Sequence, residues 1–230
     1  MTSPRERRLI RTKRALRHIM PSHIVKNRIT KRSFERITEK VGMMYFGSVS
    51  QREDEHRLVR GHTVSATHID DHYSVGSING YDCMLVLRND VVVKHKHPRV
   101  ESRCHWLICS IDLKTQHDVP HIYIGHASRD ELFKASFERL IPLNMTGFTE
   151  RFNDHYTIYG RATYGDAIQQ YIDPLTAETI AMHFKNASIE IEDNTLYLYI
   201  ESKHPDEVLI EKMLSNGLWL AEVIDSKSID

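Results

Sequence analysis

Cysteine is scarce in this sequence. There are three, Cys83, Cys104 and Cys109, with no Cys-x-x-Cys pair, which argues against a disulfide framework and against a cysteine zinc site. The expectation is buried free thiols in a reducing compartment. Long apolar runs are missing as well. Met84-Leu85-Val86-Leu87 and Val91-Val92-Val93 fall far short of the roughly 20 residues that a membrane span needs. No apolar stretch of about 7–15 residues follows the positive first residues, so no secretory signal is read and a cytoplasmic protein is expected. Neither Gly-x-Ser-x-Gly nor a glycine-rich phosphate loop occurs, so the usual nucleophile and phosphate signatures are absent. Cys104 adjoins His105, but neighbours on a strand point to opposite faces and make no dyad. These absences lean away from an enzyme.

The 230 residues, 40% hydrophobic and 27% charged, are ample for a folded core. Their net charge of zero hides a division. Residues 1–40 hold 13 Lys and Arg against 3 Asp and Glu, a formal +10. The other 190 residues hold 18 basic and 28 acidic ones, a formal −10. Such asymmetry bears on partners.

The basic stretch has apolar spacing of its own. Leu9, Leu16, Ile19 and Met20 recur near helical period. Val25, Ile29, Ser33, Ile37, Val41 and Met44 form a second stripe, with Pro21-Ser22 between the two and Ser22 as an N-cap. The prediction is two amphipathic helices over residues 1–44 with basic outer faces. They could simply pack on the domain. They could also dock on an anionic membrane face, bind RNA or DNA through residues 1–40, or meet an acidic protein, another copy included. Aromatics suited to stacking on single-stranded nucleic acid are nearly absent, Phe34 being the only one before Tyr45.

Residues 45–225 read as one α+β domain, with a subdomain boundary near 142–149 as an option. Strands are expected over 57–69, 105–113 and 155–160, and after Pro120. Hairpins are expected at Asn79-Gly80, joining 72–78 to 81–88, and at Asp193-Asn194, joining 187–192 to 195–201. In the second, Leu196, Leu198 and Ile200 should face the core, and Tyr197 and Tyr199 the other side. Residues 94–99 read as a loop. The Ser128-Arg129-Asp130-Glu131 capping box predicts a helix to about Leu140, a weak pattern suggests another near 163–170, and Asp173-Pro174 starts one running to about Phe184. A last helix begins near Pro205, and Gly217 inside it marks a break or a close contact. Hairpins without regular βαβ alternation predict a largely antiparallel sheet with helices packed on it.

The segments Val59-Arg60-Gly61 to His72-Tyr73, Asn79-Gly80-Tyr81-Asp82 and Pro120-His121-Ile122-Tyr123-Ile124 resemble uncharacterised conserved proteins of Saccharibacteria-type candidate-phylum bacteria. Phe152 onward, through Ala187-Ser188-Ile189-Glu190 to Leu196-Tyr197-Leu198-Tyr199-Ile200, resembles a bacterial domain-of-unknown-function family found behind membrane anchors. Neither resemblance implies a catalytic role. The second implies a similar strand, helix and hairpin series outside the bilayer, though the membrane helices of that family have no counterpart here.

Fifteen histidines make metal chemistry the main alternative. On an extended strand His62, His68, Asp70 and His72 would share one face and could hold zinc or iron with an open position for water, the arrangement of a metal-dependent hydrolase. Otherwise no cofactor is expected. The leading expectation is a non-catalytic binding or assembly module. Its anionic-surface site would comprise Arg5, Arg7, Arg8, Arg11, Lys13, Arg14, Arg17, Lys26, Arg28, Lys31 and Arg32. The partner would be a protein or the inner membrane face, with self-association left open.

Overall fold

The structure, a computed structural model, describes residues 22–49, 68–94, 100–127 and 140–228. The first expected leader helix, most of the 57–69 strand, the loop after Lys94 and the 128–140 helix lie outside these residues, apart from Leu140 at the helix's expected end.

Helix α1 spans Ser22–Val41. It stops at Gly42, whose φ of 77° is left-handed. The Gly42 amide reaches Glu39 O at 3.3 Å and the Met43 amide reaches Thr38 O at 2.8 Å. This paired closure satisfies carbonyls that a helix end leaves open. Met44 is therefore not the end of a helical stripe; it opens strand β1, Met44–Val49. The buried stripe is also rotated from the expected one. Thr30, Ser33, Phe34, Ile37 and Thr38 are inside, whereas Ile29 is 55% exposed. The buried hydroxyls remain satisfied because Ser33 donates to Ile29 O and Thr38 to Phe34 O.

Among the described residues the sheet has nine strands, all antiparallel, in the order β1-β2-β3-β4-β9-β8-β5-β7-β6. The long strands β2 (His68–Ile78), β3 (Tyr81–Lys94) and β4 (Val100–Asp112) make one half with β1. Strands β5 (Ile122–His126), β6 (Ile141–Pro142) and β7 (Tyr156–Gly160) make the other. The hairpin of β8 (Ala187–Glu192) and β9 (Thr195–Glu201) joins the halves. Its turn residues, Asp193 and Asn194, have φ of 49° and 56°, and Asn79-Gly80 has 53° and 76°. Two consecutive positive φ values give the turn whose twist matches the strands it joins. The α+β class and antiparallel sheet read from the sequence are those observed.

Short helices α2 (Glu150–Asn153) and α3 (Gly165–Tyr171) precede α4 (Pro174–His183), where the Asp173 carboxylate accepts from the Thr176 amide at 2.7 Å. Helix α5 spans Glu207–Lys227, capped by Asp206. Gly217 does not break it. A Cβ there would lie 2.7 Å from Ile111 Cδ1 and 3.0 Å from Leu198 Cδ1, so glycine lets the helix settle directly on β4 and β9. The five α-helices among the described residues share one core with one sheet face, through residues such as Phe34, Leu107, Ile189, Leu198, Ile210 and Leu220. The other face has a second cluster containing Val86, Trp106, Ile108, Tyr123, Tyr197 and Tyr199.

Candidate functional site

The histidine–aspartate set of residues 62–72 does not stay on one face. His62 lies outside the described residues, and His68 is placed by its backbone, opposite Asp90. The pairing of β2 with β3 slips between Asp71 and Ser74, where His72 takes a φ of 57°. Such a bulge breaks the two-residue alternation. The side chain of Asp70 is buried on the tyrosine-bearing face, where Arg88 Nε donates to Oδ1 at 2.7 Å and Nη2 to Oδ2 at 2.8 Å. His72 turns to the helix-covered face, stacked on Phe34 at 4.9 Å, with Nδ1 2.8 Å from the Tyr45 hydroxyl. Burial pushes its pKa below the ordinary value.

Of the basic residues, Arg5, Arg7, Arg8, Arg11, Lys13, Arg14 and Arg17 lie outside the described residues. Lys26 is placed on α1 by its backbone. Arg28, Lys31 and Arg32 are exposed on α1, Lys31 lying 3.6 Å from Glu35 one turn along. Further along the helix the cations, still exposed, pair across to the last helix. Arg36 meets Glu207 at 2.7 Å and Lys40 meets Glu211 at 2.6 Å, both on α5. One half of α1 thus clamps the helix to the body, and the other half presents cations outward.

The tyrosine-bearing face carries the charged groups that the sequence did not assemble. Glu190 on β8 is fully buried. It accepts from the Tyr199 hydroxyl at 2.7 Å, and its other oxygen lies 2.9 Å from His121 Nε2. Nδ1 of the same imidazole is 3.9 Å from Glu192. Burial, then the Glu190 charge, holds the Tyr199 phenol well above its ordinary pKa, and burial pushes Tyr197 up to about 12. Tyr199 therefore stays a neutral donor to Glu190 at neutral pH. Hairpin register builds this group. Tyr123 pairs with Glu190 and Ile122 with Ile191, which brings His121 beside Glu192. Asn194 fixes the approach to β5, accepting from the Val119 amide at 2.9 Å and donating to His117 O at 3.1 Å. Alternation in Ala187-Ser188-Ile189-Glu190-Ile191-Glu192 already put both glutamates on one face. The histidine, 69 residues away in sequence, comes from just before β5, and no local spacing announces that.

A groove of about 770 Å³ opens toward the turn end of β2, β3, β4 and β9, lined by Tyr73, Met84, Ser110 and Tyr197 with Asp82, Asp112 and Asp193. The three cysteines are buried thiols, none of them in a disulfide. Burial pushes Cys83 up to about 11 and Cys109 well above its ordinary value, so neither is a thiolate nucleophile at neutral pH. Among the described residues no helix is long and apolar enough to cross a membrane.

The geometry finds a counterpart among solved structures. The chain is similar in fold to a mycobacterial transport factor. That protein, the mycobacterial trehalose monomycolate transport factor A, TtfA, superposes with a TM-score of 0.56 at 12% identity, over 86% of this chain and 93% of that one. At this identity the likeness is one of architecture. No protein-family model matches the chain, and no curated protein matches it.

Proposed function

We propose that this protein is a non-catalytic binding and assembly module that docks on an anionic membrane face through its basic N-terminal residues. The observation that carries the reading is the division of labour on α1. Phe34 and Ile37 are buried at 0% and 3% exposure, Arg36 and Lys40 are tied to α5, and Arg28, Lys31 and Arg32 face outward. A cationic helix face held rigidly on a folded body loses little side-chain and backbone freedom when it meets a surface.

Magnitudes decide how much of the chain must take part. Each Lys or Arg near an anionic leaflet contributes about 1 kcal/mol, and the field fades within about 8–10 Å. The three outward cations of α1 alone would give only millimolar binding. Adding Arg5, Arg7, Arg8, Arg11, Lys13, Arg14, Arg17 and Lys26 makes docking effective. Leu9, Leu16, Ile19 and Met20 supply apolar contact with the interface. Nucleic acid carries the same charge, but a single strand also needs aromatic platforms. Phe34, the one aromatic in the basic stretch, is fully buried. A fold shared with a transport factor favours an accessory role over a catalytic one.

The test is vesicle flotation of the full chain beside two variants. One lacks residues 1–21, and the other carries Arg28→Glu, Lys31→Glu and Arg32→Glu together. Both should lose most binding to phosphatidylserine vesicles and keep their melting temperature. Unchanged binding by either variant contradicts the proposed surface.

A further inference from the structure

The cluster of His121, Glu190 and Glu192 has no part in membrane docking, and its chemistry is that of a metal ligand set. We propose that these three residues form a site for a first-row divalent cation of the zinc and manganese class, set into the tyrosine-bearing sheet face. One imidazole nitrogen and one oxygen from each carboxylate lie within 4.8 Å of one another. Metal–ligand bonds of about 2.0–2.2 Å put neighbouring donors roughly 3–3.5 Å apart. His121 Nε2 and Glu190 Oε1, at 2.9 Å, already stand at that separation. Glu192 stands 3.9 Å from the same imidazole, with its side chain 27% exposed at the end of β8.

Two features suit a metal better than a simple ion pair. The donors come from β8 and from the residue just before its partner strand β5, so the paired backbone sets their spacing before any ion arrives. Glu190 is oriented from behind. Tyr199 donates to Oε2, which fixes the carboxylate plane and leaves Oε1 toward the imidazole, as outer partners of metal-binding carboxylates do. The imidazole selects a borderline metal over magnesium or calcium, which prefer all-oxygen shells. His121 and Glu192 remain partly exposed, which leaves an approach from solvent and room for water to complete the shell.

The experiment is calorimetric titration of tag-free, chelator-treated full chain with Zn²⁺ and with Mn²⁺, and with Mg²⁺ as comparison. The expected result is one ion per chain, with Mg²⁺ at least 100-fold weaker. His121→Ala and Glu192→Gln, both at partly exposed positions, should each weaken binding at least tenfold. Tyr199→Phe, which keeps all three ligands, should weaken it about tenfold through the lost orientation of Glu190. Absence of saturable binding overturns the proposal. So does binding that survives both His121→Ala and Glu192→Gln, which would put the ion elsewhere. Either failure leaves the vesicle result untouched, because no residue is shared between the two sites.

Discussion

Arg88 grips both oxygens of Asp70 on a sheet face where neither side chain is more than 2% exposed. The two residues lie opposite each other on β2 and β3, so the guanidinium crosses a single strand spacing to make a fork of 2.7 and 2.8 Å bonds. A bidentate pair of this kind is strong while both partners are present and costly once one is removed. Asp70→Ala should cost about 3–5 kcal/mol, because a buried guanidinium loses the carboxylate that accepts two of its hydrogen bonds. The double variant Asp70→Leu with Arg88→Met should recover much of that loss. Urea midpoints of the three proteins check this, and a double variant no better than the single one contradicts it.

The anchoring of α1 is apolar first and ionic second. Phe34 is fully buried, so Phe34→Ala should cost about 3–5 kcal/mol. Arg36 and Lys40 are 68% and 61% exposed in their side chains. Replacing either with Ala should cost under about 1 kcal/mol. Thermal melts of the three variants separate the two contributions, and a loss at Lys40 equal to that at Phe34 would reverse the assignment.

Acid should weaken the fold before the carboxylates titrate. Burial lowers the pKa of His72 and, with Lys203 nearby, of His105. The folded state keeps them neutral while the unfolded chain takes up protons at the ordinary 6.5. Stability is therefore level above that pH and falls as the pH drops below it, because the unfolded state then binds more protons. The melting temperature should decline from pH 6.5 downward, and His72→Phe should flatten part of the decline. A melting temperature that rises over this range contradicts the direction.

Gly217→Val is expected to destabilise. A side chain there gains up to about 1 kcal/mol of helix propensity, but its Cβ meets Ile111 and Leu198 at 2.7 and 3.0 Å. Overpacking in a buried layer costs about 1–3 kcal/mol, so a lower melting temperature should result.

Much of the fold was legible because its signals are local. Asn79-Gly80 and Asp193-Asn194 announce their turns, Asp173-Pro174 announces α4, and the Leu196/Tyr197 alternation assigns the two faces of β9. The boundary at Met44 was missed because its apolar side chain continued a helical stripe, although Gly42 carried the stop. The shared face expected of Asp70 and His72 is broken by one extra residue in β2, a consequence of pairing with β3 that β2 alone does not encode. The His121–Glu190–Glu192 group depends on β8 lying next to β5, a choice of topology rather than of spacing.

The most direct measurement of the central reading is binding of the intact chain to vesicles of rising phosphatidylserine content at two ionic strengths. Binding to neutral phosphatidylcholine vesicles should be negligible, should grow steeply with anionic lipid, and should fall sharply on moving from low salt to about 0.5 M, where screening shortens the field to a few ångströms. Equal binding to neutral and anionic vesicles, or none to either, would contradict it.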